Sequence, residues 1–437
     1  MASINTVNIS RVLQHVWLNR GISRVEISRN LKLDKSTITN IVSRLIQENL
    51  ITILDEGEAS SRGGRKPVKL SINKDFGMIL GIEINTDSVM AAGMNLQGTK
   101  LFSKKINFSR DNESLEVMLL KSVELLRDDI TATGLSLVGI GIGLSGIINP
   151  DEGVIKKSIP LDITEEYPLL DKIGSLIEVP VFIDNDANCC CWEEMVSSGR
   201  NCPENFLFVL AEDRFHSRQL ESSRMGFAIG FGIVIHGQVL RGADYSAGEF
   251  QSILWVPGNT SQFSISDTMM AEPEMYPEAR TSTIHELAAH VAFLANTLDL
   301  SLIVIGGGLE KYGTEPLSIL QNEIEKNWSY PDQVKCELCM VKNGEYSVAS
   351  GAASMYLERL FSFSPIPVEI DALPPHKLRG YELFQYLSSL EHLACKPKMI
   401  ISSSLKPPAT SILDIFGLFL PCPKDVGRSI FKCLIDE

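Results

Sequence analysis

The sequence predicts an α/β protein with a small, mainly helical amino-terminal domain in front of a larger mixed-sheet domain. Two observations carry that expectation. Apolar residues recur at helical spacing through roughly the first fifty positions, whereas from Met78 onward β-branched strands alternate with helices. Charge changes sign with the texture. Residues 1–75 hold 12 Lys and Arg against 7 Asp and Glu, a local balance of +5 inside a chain whose net charge is −14.

Val7, Ile9, Val12, Leu13, Val16 and Trp17 form the stripe of a first helix, and Gly21 stands where a left-handed cap ends it. Ser23 precedes Glu26 by three positions, which predicts a capping box opening a second helix with Val25, Ile27 and Leu31 on its apolar face. After the short Leu33-Asp34 turn, Asp34 is placed to cap a third helix, whose buried stripe is Ile38, Ile41, Val42, Leu45 and Ile46. Two helices joined by a tight turn make a helix-turn-helix. The start of the third helix carries Lys35, Ser36, Thr37, Thr39 and Asn40, short polar or basic groups suited to base edges and phosphate oxygens, with Arg44 one turn later. ITIL after Leu50, an acidic turn, and RGGRKPVKLSI predict a two-stranded wing bearing Arg62, Arg65, Lys66 and Lys69. Residues 1–75 are thus expected to be a winged helix-turn-helix that meets double-stranded DNA. The alternative is a three-helix module that docks another protein.

In the larger domain MILGIEI, VMAAGMNL and KLFSKKINF predict three strands, followed by a helix around Leu115–Arg127 and strands at Leu137–Gly143, Val181–Ile183 and Phe206–Val209. No apolar run reaches the roughly 18 residues that span a bilayer, and MASINTVNISRV lacks the basic-then-apolar pattern of a secretory leader, so a cytoplasmic protein without membrane contact is expected. Nine cysteines, three of them adjacent at Cys189, Cys190 and Cys191, make no disulfide framework. Cys336 and Cys339 form a CxxC without a second ligand pair, so neither metal nor other cofactor is expected.

A series of motifs resembles the ROK family, which groups sugar-responsive repressors with sugar kinases on an actin-like two-lobed fold. The segments are GRKPVKL, LGIEI, GIGIGLSGIINPDEGVI from Gly139 to Ile155, VPVFIDNDAN from Val179 to Asn188, GFAIGFGIVIHGQVLRGADYSAGE from Gly226 to Glu249, VIGGGLE from Val304 to Glu310, and SGAASMYL from Ser350 to Leu357. The resemblance implies an actin-like sugar-binding domain over 76–361, and it ends near Leu360. Kinases of the family carry D-x-G-G-T-K at a first phosphate loop, where this chain has Glu83, Ile84, Asn85, Thr86, Asp87 and Ser88. Side chains replace both glycines, the Lys is absent, and Asp87 adds a charge that opposes a triphosphate. The second loop, G-T-G-I-G, stands here as Gly226, Phe227, Ala228, Ile229 and Gly230, with the Phe227 ring expected to fill phosphate space. Gly306, Gly307 and Gly308 are retained, and no catalytic residues are assigned.

The resemblance implies that Asn185, Asp186 and Glu249 bond the hydroxyls of a sugar, a group that each can pair with as donor or acceptor. Alternatively, Asp184-Asn185-Asp186 is a polar loop and Asn188 caps the following helix. The family's E-x-G-H stands here as Glu249, Phe250, Gln251 and Ser252, and its downstream cysteine cluster is missing, which implies no structural zinc. Residues 362–437 are expected to be an extension in which a Pro-stiffened linker precedes an amphipathic helix in GYELFQYLSSLEHLA, with MIISS and SILDIFGLFL as further strands or a packing surface. The favoured expectation is a dimeric repressor of carbohydrate-utilisation genes that binds an operator and responds to a sugar. A sugar kinase carrying a DNA-binding domain, and a DNA-binding protein with a decayed cleft, are the alternatives.

Overall fold

The computed structural model describes residues 4–56, 68–108, 114–213, 226–272, 275–332, 335–362 and 374–390. The amino-terminal part runs α1 (Ile4–Leu18), β1 (Ile22–Ser23), α2 (Arg24–Leu31), α3 (Lys35–Gln47), β2 (Ile51–Glu56) and β3 (Val68–Ile72). Ser23 and Glu26 form the reciprocal capping box, with the Ser23 amide donating to Glu26 Oε2 at 2.8 Å. Lys32 closes α2 in the left-handed region at φ 53°. Two local expectations are corrected. Val25 is half exposed, because positions 25 and 27 lie on different faces of a helix, so Ile27 alone of the expected trio is buried. Asp34 occupies the N-cap of α3, but its side chain makes no capping hydrogen bond. The wing also contains a strand the pattern did not reveal, since β1 pairs antiparallel with β3 to give the order β1-β3-β2. Residues 57–67, with Arg62, Arg65 and Lys66, lie outside the described residues.

The larger domain is built twice on one plan. Its first lobe contains β4 (Met78–Ile84), β5 (Ser88–Asn95), β6 (Lys100–Asn107), α4 (Leu115–Leu125), α5 (Arg127–Ala132), β7 (Leu137–Leu144), β8 (Ile147–Asn149), β9 (Val154–Lys157), α6 (Leu169–Ile173), β10 (Val181–Asn185) and α7 (Asp186–Ser198). The second contains β11 (Phe206–Asp213), β12 (Phe227–Ile235), β13 (Gln238–Val239), α8 (Asp267–Ala271), α9 (Glu278–Thr297), β14 (Leu302–Gly306), α10 (Glu315–Lys326) and β15 (Glu337–Met340). The sheet orders are β6-β5-β4-β7-β10 and β13-β12-β11-β14-β15. In each, an antiparallel three-stranded meander continues through two strands parallel to its first member. This repeated topology is the actin-like arrangement of two α/β lobes.

Helix α11 (Ser347–Phe361) joins the parts, and every residue in it except Glu358 is buried. The alternating glycines of LVGIGIGL are explained by it. Methyl groups placed on Gly139, Gly141 and Gly143 would collide with Tyr356, the Ala352 carbonyl and Val348, while Ile140, Ile142 and Leu144 fill the core on the other face. Gly81 and Gly351 are equally constrained, against the Ala349 and Cys189 carbonyls. The three adjacent cysteines are fully buried packing residues of α7, and burial pushes their thiols well up.

At its carboxyl end α11 meets the winged helix-turn-helix. Phe361 stacks on Trp17 with ring centroids 4.9 Å apart, and Phe384 of α12 (Gly380–Ser389) packs 5.7 Å from Phe361 and 5.7 Å from Phe76. One apolar cluster therefore runs from the winged helix-turn-helix through α11 and α12 into the first lobe. The expected carboxyl-terminal helix is observed as α12, while residues 391–437, including MIISS and SILDIFGLFL, lie outside the described residues.

Gly351→Ala sets a methyl group against the backbone of α7, which can yield only by separating the helices. It is expected to lower stability by about 1–3 kcal/mol, read as a lower denaturant midpoint; a wild-type midpoint would show that the helices do not meet there.

Candidate sugar-binding cleft and DNA-binding face

The cleft between the lobes holds two adjoining cavities. The smaller, of about 210 Å³, is lined by Asn185, Asp186 and Glu249 together with Tyr245, Glu212 and Lys157. The three residues expected at a sugar site are thus brought together, although Asn185 and Asp186 come from the first lobe and Glu249, more than sixty positions later, from the second.

Their roles differ. Asn185 ends β10 and caps α7: its Oδ1 accepts from the Asn188 amide at 3.2 Å, and its Nδ2 donates to the Gly146 carbonyl at 3.0 Å. The cap is therefore Asn185 and not Asn188, whose amide donates to Asp184 Oδ1 at 3.1 Å. Asp186 Oδ1 accepts from the Ala187 amide at 2.7 Å. Burial and then Glu212 push its carboxyl up to about 7, and Glu249 pushes in the same direction. Glu83, at the end of β4, is pushed up to about 8 by burial and then by Glu212. Glu83 from β4, Asp186 from the start of α7 and Glu212 from β11 thus face one cleft, where burial and like charge favour the neutral form of Glu83 and Asp186.

Asp184, adjacent in sequence, is closed to any ligand. It is fully buried, accepts from Trp192 Nε1 at 3.2 Å and from Asn188, and pairs with Arg241 at 2.5 Å. Arg241 belongs to the segment after β13, so this pair bridges the lobes. Two neighbours of Arg241 do the same: Asp244 pairs with Lys156, and the Tyr245 hydroxyl donates to Asp151 Oδ2 at 3.2 Å. The segment leads to Glu249, whose backbone pairs with Gly230 in an isolated bridge. Gln262 forms part of the floor. Its Oε1 accepts from the Ile229 amide at 2.6 Å, and its Nε2 donates to the Ile229 and Phe250 carbonyls at 2.9 and 2.6 Å. The surrounding loop is stapled by Asn259, whose amide donates to the carbonyls of Phe263, Ser264 and Ile265. Among the described residues, no group of three or more His, Cys, Asp or Glu is placed to hold a metal.

The second cavity, of about 810 Å³, lies beside Glu83–Ser88, Gly307 and Lys311. The turn after β4 is tied by its own side chains, with Asn85 Nδ2 donating to Glu83 Oε1 at 3.1 Å and the Asn85 amide to the Ser88 carbonyl at 2.9 Å. Phe227 corrects an expectation: its ring is fully buried in the second lobe's core, edge-on to Tyr312 at 6.0 Å, and does not line this cavity. Residue 227 of an antiparallel strand points to the core, and the strand's alternation, which the glycine motif hid, decides it.

On the DNA-binding domain, Lys35, Ser36, Thr39 and Asn40 are exposed on one side of α3, and Thr37 is half-buried. Thr39 Oγ1 donates back to the Lys35 carbonyl at 2.7 Å. Arg44 is exposed too, but its side chain is engaged within the protein. Its Nε donates to Glu48 at 2.8 Å, and its guanidinium lies 5.1 Å from the ring centroid of Tyr381 in α12.

An exposed polar recognition helix with a wing, joined to a two-lobed actin-like domain with a cleft, defines the class of protein. Residues 7–52 match a winged helix-turn-helix DNA-binding model, and residues 79–259 match the model of the ROK family. The chain is thus similar to the ROK family over residues 79–259 and to winged helix-turn-helix DNA-binding domains over residues 7–52. Among similar proteins, the xylose repressor of Staphylococcus xylosus is 32% identical over 248 residues, covering 56% of this chain and 60% of the repressor. A glucokinase of Streptomyces coelicolor is 25% identical over 182 residues, covering 42% of this chain and 51% of the kinase. The chain spans about 60% of the length of the xylose repressors it matches. The crystal structure of a ROK family transcriptional regulator, described as a homologue of the E. coli MLC protein, shares the fold with a TM-score of 0.65 at 20% identity, covering 81% of this chain and 96% of that one.

In the sequence Asp184 is one of three polar residues in a row and Arg241 one basic residue in RGADYSAGE, and only the fold pairs them. Glu212 carries no sequence signal, since its carboxyl neighbours in the cleft come from β4 and the start of α7.

Because the folded-state carboxyls of Asp186 and Glu83 are raised, the unfolded chain ionises first and stability falls as pH climbs from about 4 to about 8. Asp186→Asn removes one of these groups. Its thermal midpoint relative to wild type should therefore rise from about pH 5 to about pH 8.5; a difference independent of pH would refute the coupling.

Proposed function

We propose that the protein is a sequence-specific DNA-binding transcriptional regulator, a repressor of carbohydrate-utilisation genes whose affinity for its operator is set by a monosaccharide in the cleft. The observation that carries this reading is the joining, through one buried core, of an exposed recognition helix to a cavity the size of one sugar, lined by Asp186 and Glu249. A polyol suits that lining, because carboxylates accept from its hydroxyls while the Lys157 ammonium supplies donors. The names of the xylose repressors make D-xylose the first ligand to test.

On DNA, Ser36, Thr39 and Asn40 contact base edges from the major groove, Lys35 meets phosphate, and Thr37 packs at the margin. The wing residues Arg62, Arg65 and Lys66 add phosphate contacts. The protein acts as a homodimer on half-sites about one helical turn apart, in the cytoplasm where DNA and sugar meet. Among the described residues no helix is long and apolar enough to cross a membrane. A sugar that bridges Asp186 in one lobe and Glu249 in the other draws the lobes together and shifts the DNA-binding domains.

Phosphoryl transfer is not part of this reading. At the first phosphate loop the glycines that let backbone N–H groups approach a phosphate are replaced, and Asp87 sets a carboxylate along the neighbouring cavity. The rival reading, a sugar kinase, requires ATP-dependent consumption of a pentose or hexose that Asp186→Asn abolishes.

Two outcomes are expected. D-xylose at about 100 times its dissociation constant should stabilise the protein by about 2.7 kcal/mol in thermal unfolding, and Glu249→Ala should erase the shift; an unchanged melting curve across pentoses and hexoses would contradict a working cleft. Asn40→Ala should weaken operator binding by about 1–3 kcal/mol and relax preference at one base pair, whereas Lys35→Ala should weaken all duplexes alike. Equal effects on every sequence from both variants would remove Asn40 from the reading surface.

A further inference from the structure

We propose that helix α12 is an autoinhibitory latch on the DNA-binding domain, holding Arg44 and Glu48 of the recognition helix against Tyr381 and so withholding the Arg44 guanidinium from DNA phosphate. The proposal rests on the DNA-binding reading above and does not depend on the identity of the sugar.

The contact is built from both sides. Glu48 follows the last turn of α3, and Tyr381 Oη donates to its two carboxylate oxygens at 2.7 and 2.9 Å. Arg44 Nε donates to the same carboxylate at 2.8 Å, with its guanidinium over the Tyr381 ring. The carboxylate, shared between a cation and a phenol, is thereby fixed where it neutralises Arg44. Burial and then the bond to Glu48 push the Tyr381 hydroxyl well above the usual phenol range, so it remains a donor.

Tyr381 itself cannot drift. It is 2% exposed, its amide donates to Ser10 Oγ of α1 at 3.0 Å, and Leu383, Phe384 and Leu387 of the same helix join the shared apolar cluster. Gly380 turns at φ 56° where a side chain would strike the Ser362 carbonyl and Ser10. Lys35 and Asn40 are not held in this way. Arg44, one turn beyond Asn40, is the expected DNA contact whose charge the fold answers internally.

The latch also has a handle. The turn before α12 (Pro375–Lys377) is fastened to the first lobe, because Arg359 donates to the His376 carbonyl at 3.3 Å and lies 5.0 Å from the ring centroid of Phe182 in β10. Arg359 lies 3.8 Å from Asp151, the residue that also accepts from Tyr245 across the cleft. Movement of one lobe against the other is thus applied to the strap that carries α12, and releasing Tyr381 frees Arg44 to swing to phosphate.

The test uses the full chain and a mixed-sequence duplex, with binding followed by fluorescence anisotropy between about 50 and 200 mM salt. Tyr381→Ala and Tyr381→Phe should bind several-fold more tightly than wild type, and log K against log salt should steepen by about 0.9, the signature of one added phosphate contact. Adding Arg44→Ala should cancel both gains. Tyr381→Phe keeps the ring and the packing, so it decides the matter if Tyr381→Ala does not fold. Wild-type or weaker binding by Tyr381→Phe, or tighter binding that persists without Arg44, overturns the latch. A wild-type protein that binds no duplex at any salt would overturn the DNA-binding reading itself, and the latch with it.

Discussion

The structure depends on the burial of α11. A helix of 15 residues spans about 22 Å, and this one is sheathed along that length: its first turn lies at the cleft, its middle fits the glycine faces of β4 and β7 and the backbone of α7, and its last residue stacks on Trp17. Close approach is possible only because Gly81, Gly139, Gly141 and Gly351 have no side chains to hold the backbones apart. A packed rod of this kind has few intermediate positions. A shift at the cleft end must be taken up at the DNA-binding end or by breaking contacts along the way.

The chemistry of the cleft follows from the same economy of space. Asp186 opens α7 directly after β10, and Glu83 ends β4 two strands away, so carboxyls accumulate where the strands end. Asp184 shows the contrast. It is saturated by Arg241, Trp192 and Asn188 and holds the lobes, whereas Asp186 spends one oxygen on its neighbour's amide and lines the cavity. The two aspartates thus differ in setting: Asp184 ties the lobes together, and Asp186 lines the cavity.

Much of this was legible before the fold. Capping residues, helical periodicity and β-branched runs placed the helices of the winged domain and most strands of the two lobes, because those signals are local. What failed was what depends on distant partners. Arg44 looks like any basic residue on a recognition helix until α12, more than three hundred residues later, supplies Tyr381. Phe227 looked like a plug in a phosphate loop until strand alternation turned it into the core. The alternating glycines of LVGIGIGL declared a strand, but their reason is a helix two hundred residues downstream. Glu212 gave no sign at all, since its importance is its proximity to Glu83 and Asp186.

The central claim is that cleft and recognition helix are two ends of one equilibrium, and reciprocity tests it most directly. Operator affinity would be measured with and without saturating D-xylose, and D-xylose affinity with and without saturating operator, at one pH and salt. Sugar is expected to weaken DNA binding about 5- to 150-fold, and DNA to weaken sugar binding by the same factor. Sugar binding that is indifferent to the presence of operator would contradict it.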